Sequence, residues 1–144
     1  MSKWGSADFG AFKDFAKTFE KTVGGKAIEK FIEEFLLEMA FRAVGRIKKR
    51  TPVNKDPDAP TRGQLRRSWQ VGEVKKDGNN YYVEIYNPTE YASYVEYGHR
   101  TSNLKGWVEG RFMMTISMKE IERGLPKFLE QKVLGLLNDI MRGR

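Results

Sequence analysis

Residues 26–50 read KAIEKFIEEFLLEMAFRAVGRIKKR, and this stretch decides the fold. Ile28, Phe31, Ile32, Phe35, Leu36, Met39, Ala43, Val44 and Ile47 recur at three- and four-residue spacing, which gathers them on one face of a helix. Glu29, Glu33, Glu34 and Glu38 face away. Acids sit toward the start, and Arg46, Lys48, Lys49 and Arg50 sit at the end, as the helix dipole favours. Thr51-Pro52 stops the helix, because the residue before proline avoids the α region. So long an apolar face needs a second layer to cover it.

That layer follows in the chain. Residues 52–63 carry Pro52, Pro57, Pro60 and Gly63 and read as a long loop. Gln64–Val74 and Tyr81–Tyr86 read as strands, the second with clear alternation, joined by the turn Lys76-Asp77-Gly78-Asn79-Asn80. Asn87-Pro88 ends the second strand. Tyr91, Tyr94 and Tyr97 lie three apart on a short helix at about 90–97, a spacing that places them on one face, and a glycine-containing loop with Trp107 spans 98–110. Helix resumes near Arg111, is interrupted by Gly124 and Pro126, and restarts with Pro126 in the first turn of a last helix. Phe128, Leu129, Val133, Leu136, Leu137, Ile140 and Met141 form its apolar stripe. The fold class is α+β: a small antiparallel sheet built on a β-hairpin, packed against a long N-terminal helix and a C-terminal helix. A lone hairpin is marginal in water, so either a third strand lies near 100–115 or sheets join between subunits. Upstream, Phe9, Phe12, Phe15 and Phe19 make residues 1–25 a Phe-rich helical extension, and 26–144 forms a single domain with a loop insertion at 52–63.

Composition narrows the function. A chain of 144 residues with 40% hydrophobic and 12% aromatic content can build one core. It has no cysteine, so disulfides and thiolate zinc sites are excluded. No apolar run is long enough for a bilayer, and no signal peptide stands at the start, which reads as a soluble cytoplasmic chain with no membrane partner. The net charge is +7, and the window Arg42–Lys76 alone carries eleven basic against three acidic residues, which leaves +8. Such a zone suits a polyanion or an acidic protein surface, or is simply a solvated face.

Chemistry finds little to work with. His99 is the single histidine and sits beside Arg100 without a serine or acid in a recognised motif. Neither a metal-ligand cluster nor a phosphate-binding glycine motif is present, so no cofactor and no metal are expected and the chain reads as a non-enzyme. Basic residues near Trp69, with Tyr81, Tyr82 and Tyr86 on the next strand, leave a cytoplasmic basic nucleic-acid-binding module as the alternative. Trp69 is better read as a core ring.

The ordered segments resemble the small neck proteins of tailed bacteriophages, the head–tail joining, tail-completion or tail-terminator type. The matching pieces are Thr51-Pro52-Val53, Gly63-Gln64-Leu65-Arg66-Arg67-Ser68-Trp69 and Tyr82-Val83-Glu84-Ile85-Tyr86-Asn87-Pro88. They continue with Tyr91-Ala92, Tyr94-Val95-Glu96-Tyr97-Gly98-His99-Arg100, Gly106-Trp107-Val108 and Gly110-Arg111-Phe112-Met113. Together they cover about residues 26–142. The family runs from its Thr-Pro-Val straight into Asp-Thr-Gly, whereas here Asn54 holds the acid position and Lys55–Arg62 is inserted.

The resemblance implies a virion structural protein of the neck or tail end, assembled in the bacterial host cytoplasm. It implies a homo-oligomer, often a hexameric ring, that contacts neighbouring connector or tail-tube proteins. Closed rings use two different patches per subunit. Tyr91, Tyr94, Tyr97, Trp107 and Phe112 are the candidate subunit interface, since Tyr and Trp anchor interfaces. Lys55, Arg62, Arg66 and Arg67 are the candidate inter-ring or DNA-facing residues.

Overall fold

The computed structural model describes residues 25–142. The Phe-rich stretch lies outside them. Helix α1 spans Gly25–Arg50, and the last helix, α4, spans Met113–Met141. Between them come a one-turn helix α2 (Gln64–Arg67), strands β1 (Gln70–Val71), β2 (Lys75–Asp77), β3 (Asn80–Tyr82) and β4 (Ile85–Tyr86), helix α3 (Ala92–Tyr97), and strands β5 (Gly98–Arg100) and β6 (Trp107–Glu109). The chain is α+β, with a long N-terminal helix, a C-terminal helix and small antiparallel sheets.

α1 and α4 run antiparallel along each other. Arg46 meets Glu120 at 2.8 Å, the Arg42 guanidinium lies 4.5 Å from the Phe128 ring centroid, and Lys132 meets Glu38 at 2.6 Å. As α1 is followed backward, its partners advance along α4. Between these polar rungs Ile28, Ile32, Phe35, Leu36, Met39 and Ala43 bury against Ile121 and Leu125. Each fully buried large side chain contributes about 1.5–3 kcal/mol. This seam explains why α4 does not break. The sequence places a stop at Gly124-Pro126, yet the helix continues through it. A proline inside a helix costs about 3 kcal/mol, and the flanking Ile121 and Leu125 offset it by their burial.

The first hairpin carries a register shift. Gln70 pairs Tyr86 and Val71 pairs Ile85, whereas Lys75 pairs Tyr82 and Lys76 pairs Tyr81. The Gly72 amide bonds the Glu84 carbonyl at 2.8 Å, so Glu73 and Val74 together stand opposite Val83. One extra residue on one strand is a β-bulge, and it turns Val74, Val83, Tyr81 and Ile85 toward α1. Gly78 closes the turn at φ 61°, as the first position of a two-residue hairpin loop demands. The expected strand at 64–74 begins late: Gly63, at φ 74°, starts α2, and the Arg67 amide bonds back to the Gly63 carbonyl at 3.0 Å.

The expected loop at 98–110 is a second hairpin, with Gly98 opposite Glu109, His99 opposite Val108 and Arg100 opposite Trp107. Extra strands therefore do lie near 100–115. They pair with each other and do not extend the first hairpin.

Thr51 ties the layers together at the end of α1. Its side chain is fully buried, and its hydroxyl donates to the Ile47 carbonyl at 2.7 Å while accepting from Trp69 Nε1 at 2.9 Å. Trp69 lies in the second core cluster with Val44, Ile47, Leu65, Ala92, Met113 and Met114. The Asn87 amide is also buried and donates to the Leu65 carbonyl at 2.8 Å. Replacing Thr51 by Val keeps the shape but removes the hydroxyl that links the indole N–H to the Ile47 carbonyl. A loss of about 1–3 kcal/mol in denaturant unfolding is expected.

Ion pairs along the α1–α4 seam make stability depend on pH. Arg50 and Arg46 hold the Glu120 carboxyl below the ordinary 4.5, Arg50 contributing most. Lys132 does the same for Glu38, with help from Arg42. Both folded values are depressed, so this stabilisation is complete above pH 4.5 and is lost as pH falls through the lowered values. Denaturant midpoints should drop between about pH 5 and about pH 3, and less so in a Glu38→Gln/Glu120→Gln chain, whose seam no longer titrates.

Candidate functional site

The site is built by the segment from α3 to the start of α4, and a buried carboxylate holds it. Glu96 on α3 has no solvent exposure. Its Oε2 accepts from the Met114 amide at 2.9 Å, and its Oε1 accepts from the Thr115 amide at 2.8 Å and the Thr115 hydroxyl at 2.7 Å. An acid placed on the free amides of a helix start satisfies otherwise unpaired donors and opposes the helix dipole. The backbone adds to the lock: the Arg111 amide bonds the Val95 carbonyl at 2.8 Å, and the Phe112 amide bonds the Glu96 carbonyl at 3.1 Å.

Two glycines let these pieces touch. A Cβ at Gly110 would stand 2.4 Å from the Glu96 carbonyl oxygen, and one at Gly98, at φ 90°, would stand 2.6 Å from the Val108 oxygen. The tip of the β5–β6 hairpin is braced as well. Thr101 Oγ1 accepts from the Gly106 amide at 3.0 Å and donates to Asn103 Oδ1 at 2.6 Å.

On this frame stands an exposed apolar surface. Tyr94 is 58% exposed, Tyr97 47%, Trp107 56% and Phe112 39%, with Val108 and Leu104 also open. Tyr97 meets Phe112 edge-on at 6.4 Å between centroids, and Tyr94 lies 6.0 Å from the His99 ring. Phe112 sits at φ 47°. A bulky residue there is strained, and the bonds from Glu96 hold it in place.

The five candidate interface residues are thus all exposed, but they do not share one face. Steps of three advance a helix by about 300° each, so Tyr91 and Tyr97 point about 120° apart. Tyr91 instead borders a groove with Pro52, Val53, Leu65 and Val95.

The basic candidates also divide. All four are exposed, and Lys55 and Arg62 stand on the 52–63 loop. Arg66 and Arg67 brace that loop: Arg66 donates to the Thr51 carbonyl through Nη2 at 2.7 Å, and Arg67 Nη1 donates to the Arg62 carbonyl at 3.1 Å. Trp69, the stacking ring of the nucleic-acid reading, lies in the core. Among the described residues there is no cluster of three acids or histidines that could hold a metal, and no helix is long and apolar enough to cross a membrane.

Residue type and spacing alone give Glu96 no role. The signal available was an acid on a short helix 18 and 19 residues before the amides that it binds, and only the fold brings them together. Removing this carboxylate by Glu96→Ala leaves three donors unpaired. Unfolding should become easier by about 3 kcal/mol, and Gly110→Ala should cost about 1–3 kcal/mol through crowding. Chemical denaturation checks both.

A family model described as "Bacteriophage HK97-gp10, putative tail-component" matches residues 13–98. The match covers α1 through α3 and includes Thr51, Trp69, Asn87 and Glu96, the residues that tie the core. No curated protein and no solved structure matches the chain.

Proposed function

The chain belongs to the HK97-gp10-like family of bacteriophage tail components, and from that premise we propose that it closes into a ring at the head–tail junction through its exposed aromatic surface. It is a structural protein of the phage tail or neck type, found in the virion and in contact with other virion proteins. The proposed ring is hexameric on the family resemblance, and it joins head to tail.

One observation supports it above the others. Tyr94, Tyr97, Trp107 and Phe112 are presented to solvent by a frame that a buried carboxylate and two close-packed glycines hold rigid. Large exposed aromatic groups on a rigid mount lose little entropy on binding and suit subunit contacts. A ring joins two different patches, and the groove beside Tyr91 offers a second, apolar one on the far side of α3. The 52–63 loop, braced by Arg66 and Arg67, carries Lys55 and Arg62 outward for contact with a neighbouring ring or with packaged DNA. The role is structural rather than catalytic.

Light scattering with negative-stain imaging tests this reading. The full chain should form closed rings at high concentration. Trp107→Ala combined with Tyr97→Ala should leave a folded chain by circular dichroism yet weaken assembly by about a hundredfold, as loss of two anchor rings implies. Rings that persist unchanged in that variant would contradict the proposal.

A further inference from the structure

The outward face of α1 is self-complementary, and we infer that it pairs two copies of this chain antiparallel about Phe41. Phe41 is 62% exposed and points directly away from the buried side of the helix. One turn away stands Gly45, where an added Cβ would meet nothing within 4 Å. Half-buried Leu37 lies one turn to the other side. Glu34 and Lys48 sit two turns out, one toward each end of the helix, and line up with Phe41 because seven residues make nearly two full turns. Glu33 and Lys49 flank them in the same symmetric way.

Residue 41 is the midpoint of every one of these pairs. Turning a second copy of α1 end over end about that point therefore sets Glu34 on the partner's Lys48 and Leu37 over the partner's Gly45. The two Phe41 rings meet at the centre. The absence of a side chain at Gly45 lets the helices approach closely. Acid meets base at both ends, which fixes the antiparallel direction and disfavours the parallel one. Lys30 pairs with Glu34 at 3.9 Å while both side chains stay mostly exposed. It lies another turn out, beyond the partner's helix end, so it does not cancel the match.

Such a contact is two-fold and stops at two copies. It shares no residue with the aromatic surface, so one chain can make both contacts, the ring contact head to tail and this one in opposed orientation. It does not rest on the ring reading.

The native chain lacks cysteine, so engineered thiols report cleanly. Under mild oxidation the full-length Phe41→Cys chain should link to itself. Leu37→Cys alone should not, since the two positions would stand about 12 Å apart along the axes. An equal mixture of Leu37→Cys and Gly45→Cys should link. Charge exchange tests the ends. Lys48→Glu with Lys49→Glu, or Glu33→Lys with Glu34→Lys, should each weaken pairing by about tenfold or more, and mixing the two variants should restore it. Adding Trp107→Ala to the Phe41→Cys chain should leave its link intact, which separates this contact from the ring. A folded Phe41→Cys chain that does not link, or a Leu37→Cys chain that links alone to the same extent, overturns the inference. So does charge reversal without effect in either variant.

Discussion

The carboxylate of Glu96 is the constraint from which the rest of the outer structure follows. It is shut away from water, so it must be matched by donors inside the protein, and the start of α4 supplies all three. This fixes where α4 begins and how α3 lies across it. It also fixes the short path between them, because the β5–β6 hairpin has to leave α3 at Gly98 and return at Gly110 within touching distance. The aromatic groups of that path are then directed outward by covalent geometry. Phe112 is held at φ 47°, a conformation it would not keep unaided. The protein stores strain at Phe112, the least exposed ring of that surface, and the buried acid keeps it there.

A second anchor does the same for the inner layer. Thr51 ends α1, receives the indole of Trp69, and through its carbonyl holds Arg66. Arg67 closes the same loop from its other end. Two side chains that look like phosphate ligands in the sequence are therefore bonded to backbone oxygens while staying exposed, as Lys55 and Arg62 are on the loop itself. A cluster of arginines beside a proline-rich loop can thus brace the loop and stay open to a partner.

Much of this was legible in the sequence, and unevenly so. α1 follows from its three-four spacing, and its observed buried residues are almost the ones that spacing selects, with Phe31 half-buried and Ala40 buried in addition. Trp69 as a core ring follows from its bulk. The turn at Gly78 follows from its chemistry. What periodicity could not supply was anything set by contacts far along the chain. Gly124-Pro126 reads as a break, but helix propensity loses to packing against α1. Gln64–Arg67 reads as strand, but a left-handed Gly63 starts a helical turn there. Residues 98–110 read as loop, because strands of three residues leave no alternation to see. In the candidate site the aromatic residues were visible by type, whereas the division between the Tyr91 groove and the Tyr94–Phe112 surface depends on how α3 is docked.

In the ring proposed above, another subunit covers the surface formed by residues 94–112. Hydroxyl-radical footprinting of the full chain, dilute and assembled, reads it side chain by side chain. Tyr97, Trp107 and Phe112 should lose most of their reactivity on assembly, while Tyr82, open to the same degree as Phe112 at 39%, should keep its own. Assembled particles in which Trp107 remains as reactive as in the dilute chain would rule that contact out.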